Sequence, residues 1–200
     1  GKGGTFLAVN GISLRIRAGE IYGILGPNGA GKTTTLEMLE GLTDIDSGTA
    51  RIDGIDVKAD PYAVKKIIGV QLQANEYFDS VSLTELLELF AALYNRKVDP
   101  LELLDRVNLR DKANAKPASL SGGQKQRVSI ARAVYAAADV YLLDDPLSAV
   151  DNHVGAALFE QVLGASGVLR KATRVLVTNA LQYLPKADKI VVLEEGKVAE

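Results

Sequence analysis

The segment that most constrains this chain is Gly26-Pro27-Asn28-Gly29-Ala30-Gly31-Lys32-Thr33, which fits the pattern G-x-x-x-x-G-K-[ST]. A strand-like apolar run precedes it and a helix-like run follows it. The glycines let backbone N–H groups turn inward without Cβ clashes, which makes an anion nest at a helix N-terminus. We therefore predict a phosphate-binding loop in which Lys32 contacts the β- and γ-phosphates and Thr33 ligates Mg²⁺. A glycine-rich turn before a helix is the alternative, but it requires neither side chain.

Composition narrows the class of protein. With 200 residues, the chain is long enough for one domain with a substantial core. Its 23 Lys and Arg nearly balance 25 Asp and Glu, so no overall charge recruits nucleic acid or anionic lipid. The absence of Cys gives no indication of disulfides or Cys-based metal sites. No apolar run approaches the roughly 20 residues of a membrane span, so we expect any membrane connection to lie in another chain or another part of a longer one.

Strands alternate with helices along most of the sequence. We predict strands at residues 12–16, 20–25, 67–73, 139–143, 174–178, 189–193 and 198–199, and a short hairpin at 49–54. Outside the phosphate-binding loop, we predict helices at 61–66, 83–94, 100–107 and 122–138. Residues 77–116 contain no predicted strand. The pattern predicts an α/β fold with a largely parallel sheet, a small antiparallel β part and an inserted helical subdomain.

A second glycine-rich helix start lies at Leu120-Ser121-Gly122-Gly123-Gln124. Ser121 is placed to cap the helix, and the free N–H groups there suit a phosphate. The chain already has a complete phosphate-binding loop, so this second site has no evident ligand within one molecule. An ordinary capped helix is the alternative, and it explains Ser121 but not the two glycines.

Two acidic residues end an apolar strand-like run, Val140-Tyr141-Leu142-Leu143-Asp144-Asp145. A carboxylate that leaves a buried strand beside a phosphate-binding loop can hold Mg²⁺ through water, which is the role predicted for Asp144. Asp145 follows where an acid could polarise an attacking water. A solvated strand end is the alternative, but the two glycine-rich segments favour the metal site.

Together these segments resemble the nucleotide-binding domain of ATP-binding cassette (ABC) transporters over nearly the whole chain. Residues 26–33 resemble that family's Walker A loop, 120–124 its LSGGQ signature and 140–144 its Walker B strand. Residues 148–151 are similar to the D-loop. Gln73 is similar to the Q-loop glutamine that reaches Mg²⁺ and senses the transmembrane partner, and Gln71 is the weaker candidate because it lies one strand step earlier.

The resemblance implies a P-loop NTPase fold in a single domain, with an ATP-binding core at residues 1–76 and 117–200 and the helical subdomain at 77–116. In that family two such domains pack head to tail, and ATP with Mg²⁺ lies between one domain's Walker motifs and the other's signature. The implied partners are a second nucleotide-binding domain, identical or different, and a transmembrane domain. No nucleic-acid partner is expected. The implied location is the cytoplasmic face of a membrane.

The resemblance also assigns roles to individual residues. It implies metal contacts from Thr33, Gln73 and Asp144, and catalytic roles for Asp145, Asn179 and Gln73. It implies nucleotide contacts from the first loop, the signature and the D-loop, namely Gly26, Pro27, Asn28, Gly29, Ala30, Gly31, Lys32, Thr33, Thr34, Ser121, Gly122, Gly123, Gln124, Ser148 and Asp151.

The chain departs from the family pattern at three places. The family usually has Glu at the position of Asp145; losing one methylene withdraws the carboxylate by roughly 1–1.5 Å, which can cost about a hundredfold in rate. Asn179 stands where the family has a switch histidine, and it can hydrogen-bond a γ-phosphate but cannot carry an imidazolium charge. The adenine-stacking aromatic is expected near Gly3, with Phe6 as its candidate substitute, although the apolar run Phe6-Leu7-Ala8-Val9 predicts a core residue there equally well. The only histidine, His153, is expected to be an exposed helix residue.

The two halves resemble different branches of the family. Up to about Asp111 the chain resembles a bacterial exporter ATPase. From about Leu120 it resembles the first nucleotide-binding domain of the multidrug-resistance-protein branch, in which Asp after Walker B is usual and the first site tends to retain ATP. This difference predicts a hybrid chain with a join near residues 112–119.

The main functional hypothesis is a slowly hydrolysing, ATP-driven motor domain of a transporter. The alternative is a nucleotide switch without transport, but the sequence offers no second cassette, coiled coil or basic surface for it. A P-loop GTPase would carry a motif of the Asn-Lys-x-Asp type after a strand, and none is found. Tyr77 and Phe78 are the candidate docking residues for a transmembrane partner, with ordinary subdomain packing as the alternative.

Overall fold

The computed structural model describes residues 7–71, 77–78, 80–97 and 99–199. Eight strands are assigned in this part of the chain: β1 (Ile21–Leu25), β2 (Arg51–Ile52), β3 (Ile55–Asp56), β4 (Ile68–Gln71), β5 (Val140–Asp144), β6 (Thr173–Val177), β7 (Lys189–Glu194) and β8 (Lys197–Val198). Six form one sheet in the order β4-β5-β6-β1-β7-β8. Its first five strands are parallel and β8 is antiparallel, while β2 and β3 form a separate antiparallel hairpin. The predicted α/β architecture is confirmed.

Helices connect these strands. They are α1 (Lys32–Leu39), α2 (Pro61–Ile67), α3 (Leu83–Leu93), α4 (Pro100–Arg106), α5 (Gly122–Tyr135) and α6 (Asn152–Leu158), which continues as one π-helical turn, Phe159–Leu163. Short 3₁₀ turns lie at Arg110–Lys112, Pro117–Ser119 and Leu181–Lys186. The capping box at the start of α3 is present, since Ser82 and Glu85 bond each other's backbone N–H at 3.3 and 2.7 Å.

Two sequence-based predictions are wrong in detail. Residues 12–16 do not form a strand, although Ile12, Leu14 and Ile16 are half-buried against the core, as their alternation requires. A strand also needs a backbone ladder, and no described segment supplies one here. Helix α5 ends at Tyr135 rather than near residue 138, because Ala137 adopts a left-handed conformation (φ 44°).

Two hydrophobic clusters cover the opposite faces of the large sheet. Tyr141 and Leu143 of β5 belong to the first cluster, and Leu142 between them belongs to the second, as the two-residue period of a strand requires. The first cluster joins α3, α4 and α5 through residues such as Leu86, Leu104 and Val128. The second joins α1 and α2. Helix α5 is therefore held both by the sheet and by the helices that precede it.

The carboxyl ends of three adjacent strands meet at one edge of the sheet. In the parallel register, Val177 of β6 lies beside Asp144 of β5 on one side and Ile24 of β1 on the other. The residues that follow these three strands must therefore emerge close together. This arrangement places the Gly26 loop, the Asp144-Asp145 pair and Asn179 at the same edge, which is where parallel α/β sheets bind ligands.

Candidate functional site

The glycine-rich loop after β1 depends on glycine at defined positions. Gly26, Gly29 and Gly31 all have positive φ angles, of 146°, 81° and 92°. A Cβ atom on Gly26 would overlap the carbonyl oxygen of Leu193, and one on Gly31 would overlap that of Ala8. Gly29, in contrast, has open space around its missing Cβ. The loop is thus packed between two backbone segments and is open on the side of Gly29.

That open side borders a cavity of about 350 Å³, a volume in the range of small-molecule sites. It brings together most of the residues predicted to surround the phosphates and the metal. Its lining comprises Ala8, Asn28, Gly29, Gly31, Lys32, Thr33, Thr34, Asp144, Asp145 and Asn179. Gly26, Pro27 and Ala30 shape the loop from behind without lining the cavity.

Lys32 is folded onto its own loop. Its Nζ donates hydrogen bonds to the carbonyl oxygens of Gly26 at 2.6 Å and Pro27 at 2.9 Å. An ammonium group has three N–H donors, so one is left for an anion in the cavity. Its positive charge at the start of α1 adds to the partial positive charge of the helix N-terminus. The site is therefore suited to a phosphate.

Thr33 and Asp144 form the polar floor of the cavity. The Thr33 hydroxyl donates to the Asp144 carboxylate at 2.8 Å. Asp144 is only 6% exposed, and this burial raises its pKa, reinforced by Asp145 and opposed by the Thr33 hydrogen bond and by Lys32. Hydroxyl and carboxylate oxygens fit Mg²⁺. The described residues contain no group of three acidic, His or Cys side chains able to hold a metal, and Mg²⁺ commonly completes its coordination with water and phosphate.

Asp145 has an unusual backbone. Its φ is 49°, in the left-handed region that Asp and Asn tolerate better than most other non-glycine residues. Its N–H donates to the carbonyl oxygen of Val177 at 2.9 Å, which fixes it against the end of β6. Asn179, two residues beyond β6, is exposed and lines the same cavity. The structure thus brings the two departures from the family pattern together beside the phosphate-binding loop.

The second glycine-rich segment does not line this cavity. Ser121 caps α5 by accepting from the Gln124 N–H at 3.3 Å, and its own N–H donates to the Gln124 side chain at 2.9 Å. Ser121 and Gly122 are exposed, and no other described segment comes within 4 Å of a Cβ built on Gly122. Ser148 and Asp151 are likewise outside the cavity, and Asp151 caps α6. One chain therefore leaves the start of α5 free for another molecule.

Other predicted residues have mixed outcomes. Gln73, Gly3 and Phe6 lie outside the described residues, so their roles stay predictions. His153 is exposed on α6, as predicted. Tyr77 packs against the first cluster and donates its hydroxyl to the Lys125 carbonyl oxygen at 3.0 Å, and burial raises its pKa to about 12. Phe78 is 62% exposed. Of these two residues, Phe78 is therefore the one still predicted to contact a transmembrane partner.

Sequence reasoning missed two buried polar side chains near the site, Glu40 and Gln126. Glu40 follows α1 and is 4% exposed, and its Oε2 has no hydrogen-bond partner among the described residues. Gln126 lies in α5, and its side-chain amide donates to the Asp145 carbonyl oxygen. Glutamate and glutamine are common on exposed helix faces, so their sequence positions give no signal of burial.

Glu40→Gln is expected to stabilise the protein at high pH but not at low pH. Burial, with the charges of Glu37 and Asp144, raises the pKa of Glu40 from 4.5 to about 7, against a smaller opposing effect of Lys65. The protonated acid therefore contributes stability below about pH 4.5, and this contribution is lost as pH rises through about 7. At pH 8 the variant should be more stable by on the order of 2 kcal/mol in urea unfolding without Mg²⁺ or nucleotide. An equal difference at pH 5 would contradict the assignment.

Comparisons with known proteins agree with this geometry. The family model described as "ABC transporter" matches residues 9–148. The chain is 38% identical over 194 residues to human ATP-binding cassette sub-family C member 2, and 38% identical over 191 residues to multidrug resistance protein mrp-7 of Caenorhabditis elegans. These alignments cover 96% and 94% of the chain but only 12% of each relative.

An alignment to a bacterial relative also covers nearly the whole chain. The chain is 36% identical over 204 residues to Nod factor export ATP-binding protein I of Burkholderia lata, which covers 98% of the chain and 66% of that protein. The resemblance to both branches is confirmed, and each alignment crosses both halves of the chain. The join near residues 112–119 stays a prediction.

Solved structures share the fold. The ATP-binding cassette MJ0796, in a dimeric post-hydrolysis state bound to ADP and Pi, superposes with a TM-score of 0.87 at 29% identity, covering 98% of this chain and 90% of that one. The fold is the P-loop NTPase fold of ABC cassettes. Within the described parts of the chain, no helix is long and apolar enough to cross a membrane. The cavity at the ends of β1, β5 and β6, the family match and the shared fold show that the chain belongs to the ATP-binding cassette family of ABC transporters.

Proposed function

We propose that the chain is a slowly ATP-hydrolysing motor domain of a transporter, which pairs head to tail with a second nucleotide-binding domain around ATP. The observation that carries this proposal is the 350 Å³ cavity in which the glycine loop, the Thr33–Asp144 pair and Asp145 meet. Phosphates would contact Lys32 and the backbone of residues 26–31, and Thr33 and Asp144 would hold Mg²⁺, with Gln73 as a further ligand. Bound Mg²⁺ would neutralise charge on the phosphates.

The hydrolytic groups are weaker than the binding groups. Asp145 would accept a proton from the attacking water, and its short side chain limits its reach. Asn179 would donate a hydrogen bond to the γ-phosphate without adding positive charge. Both belong to this chain's own cavity, whereas the capped start of α5 is intact. In an asymmetric pair, this chain's own cavity should therefore retain ATP while the partner's site turns it over.

The exposed start of α5 supports the pairing. Ser121, Gly122, Gly123 and Gln124 lie outside the chain's own cavity. The capping box uses the N–H groups of Ser121 and Gln124, whereas those of Gly122 and Gly123 bond none of the described residues and would face the phosphates of a second molecule. Ser148 and Asp151 would lie between the two copies. The dimeric state of MJ0796 favours the same arrangement. The proposed division is a core of residues 1–76 and 117–200 with a helical subdomain at 77–116.

The proposed transmembrane partner would dock on the helical subdomain near exposed Phe78, at the cytoplasmic face of a membrane. Relatives that span far more residues than this chain, and one named for export, favour a transporter over a nucleotide switch without transport. Co-purification of a membrane-spanning partner or segment from the full gene would distinguish the two. A full gene without membrane-spanning segments, from which no membrane-spanning partner co-purifies, would favour the switch.

ATP-driven pairing tests the proposal directly. We expect ATP with Mg²⁺ to convert the monomer to a dimer in analytical ultracentrifugation. Ser121→Arg should weaken the dimer on the order of a hundredfold, because its long side chain would overfill the space between the start of α5 and the partner's phosphates, while ATP affinity of the monomer stays unchanged. Ser166→Arg, at an exposed serine outside α5, is the matched control and should pair normally. A native chain that stays monomeric with ATP, or a Ser121→Arg chain that pairs normally, would refute the proposal.

A further inference from the structure

Gln126 forms an unusually complete set of hydrogen bonds for a helix side chain. It is 7% exposed, and its amide faces the turn that follows β5. Its Nε2 donates to the Asp145 carbonyl oxygen at 2.6 Å and to Ser148 Oγ at 3.1 Å. Its Oε1 accepts from the Ala149 N–H at 2.9 Å. Both donor hydrogens and the acceptor are therefore used, which makes the contact rigid.

The turn that Gln126 holds is closed on itself. Ser148 Oγ donates to the Asp145 carbonyl oxygen at 3.0 Å. Hydrogen bonds therefore link Gln126, Ser148 and Asp145 to one another. The N–H of Asp145 is fixed separately by Val177. Both peptide groups flanking the left-handed Asp145 backbone are thus restrained, and such sparsely populated conformations persist only when their surroundings enforce them. The direction of the Asp145 carboxylate depends on that backbone.

A second contact one helical turn earlier ties the same segment to α5. A Cβ on Gly123 would lie 2.5 Å from the Ala149 carbonyl oxygen, so glycine there permits close backbone packing. Gly123 and Gln126 are three residues apart and share a helix face. The start of α5 and residues 145–149 are consequently clamped at two points, and one of these is a side-chain amide.

The two segments joined by these contacts, the start of α5 and residues 145–149, face different sites. Asp145 lines the chain's own cavity, whereas Ser121 and Gly122 are exposed at the start of α5. We propose that Gln126 is a positioning residue that makes Asp145 and the Ser121 end of the same chain move as one unit. This inference rests on the proposed function, because only in a head-to-tail pair do those two ends serve two different nucleotides. Closing one site would then adjust the hydrolytic acid of the other.

The test compares Gln126→Met, which keeps the volume but loses the hydrogen bonds, with Gln126→Glu, which keeps the acceptor for Ala149. We expect Gln126→Met to lower single-turnover ATP hydrolysis about tenfold or more through misplacement of Asp145. The Kd for ATP should change little, because the loop that binds phosphate does not touch Gln126. Gln126→Glu should lower hydrolysis at least as much, because a carboxylate oxygen would then face the Asp145 carbonyl oxygen to which Nε2 donates. Lys125→Met, the neighbouring position of α5, is the control and should resemble the native chain.

Amide hydrogen exchange supplies a second readout that does not require turnover. In the native chain, ATP-driven pairing should change the exchange of residues 145–149, and Gln126→Met should abolish that change. Native exchange behaviour and native turnover in Gln126→Met, with ATP binding and pairing intact, would overturn the role of Gln126 alone. A native chain that neither binds ATP nor pairs would instead refute the proposed function, and the inference with it.

Discussion

Gly26→Ala is expected to destabilise the protein by at least about 4 kcal/mol, enough to unfold a marginal domain. A Cβ at this position would overlap the carbonyl oxygen of Leu193, which lies in β7 and pairs with Val198 of β8, so this backbone cannot shift without disturbing that pairing. The residue also has a φ of 146°, which side chains rarely adopt. Urea unfolding measured without nucleotide would give the change in free energy.

Gly29→Ala is the matched control within the same loop. Gly29 also has a positive φ, of 81°, but a Cβ there meets no atom within 4 Å. Only the backbone penalty of about 1–2 kcal/mol remains. Gly31→Ala should behave like Gly26→Ala, because its Cβ would overlap the carbonyl oxygen of Ala8. Equal losses for Gly26→Ala and Gly29→Ala would show that conformational strain, rather than the close approach of two backbones, dictates glycine in this loop.

Much of the site could be predicted because it follows from local pattern and sheet topology. The glycine loop and the Asp144-Asp145 pair each follow an apolar strand, and in a parallel sheet the carboxyl ends of strands meet at one edge. Thr33 and Asp144 are both predicted to be metal ligands, which requires that they lie close together. In the structure the Thr33 hydroxyl donates a hydrogen bond to the Asp144 carboxylate.

Features that depend on distant neighbours could not be predicted. The alternation of apolar and polar residues at 12–16 predicts correctly which side chains are half-buried. A strand also requires a neighbouring strand to pair with, and the sequence does not reveal whether one is present. The hydrogen bonds of Gln126 reach residues about twenty positions away, and the burial of Glu40 is equally tertiary in origin. The left-handed backbone of Asp145 arises from such contacts too, and it changes how a substitution there should be interpreted.

Asp145→Glu combined with Asn179→His should raise ATP turnover at this chain's own site. The longer carboxylate would recover the reach that Asp145 lacks, a gain of about a hundredfold or 2.7 kcal/mol. Glutamate tolerates the left-handed backbone less well than aspartate does, at a cost of roughly 1 kcal/mol. The gain in reach exceeds this cost, so we expect a net increase of about tenfold. Single-turnover hydrolysis with a competent partner domain measures it.

Two single changes separate the contributions to that increase. Asp145→Asn keeps a residue that tolerates the left-handed backbone but removes the proton acceptor, so turnover should fall below the native rate while ATP affinity is retained. Asn179→His alone adds a group that can carry charge near the γ-phosphate but leaves the acid short, and it should give only part of the gain. If the double variant hydrolyses ATP at the native rate, the slow site must be limited by something other than these two side chains. The hydrogen bonds of Gln126 and Ser148 to the Asp145 carbonyl oxygen would then be the limiting feature, because a carboxylate held in the wrong direction gains nothing from added length.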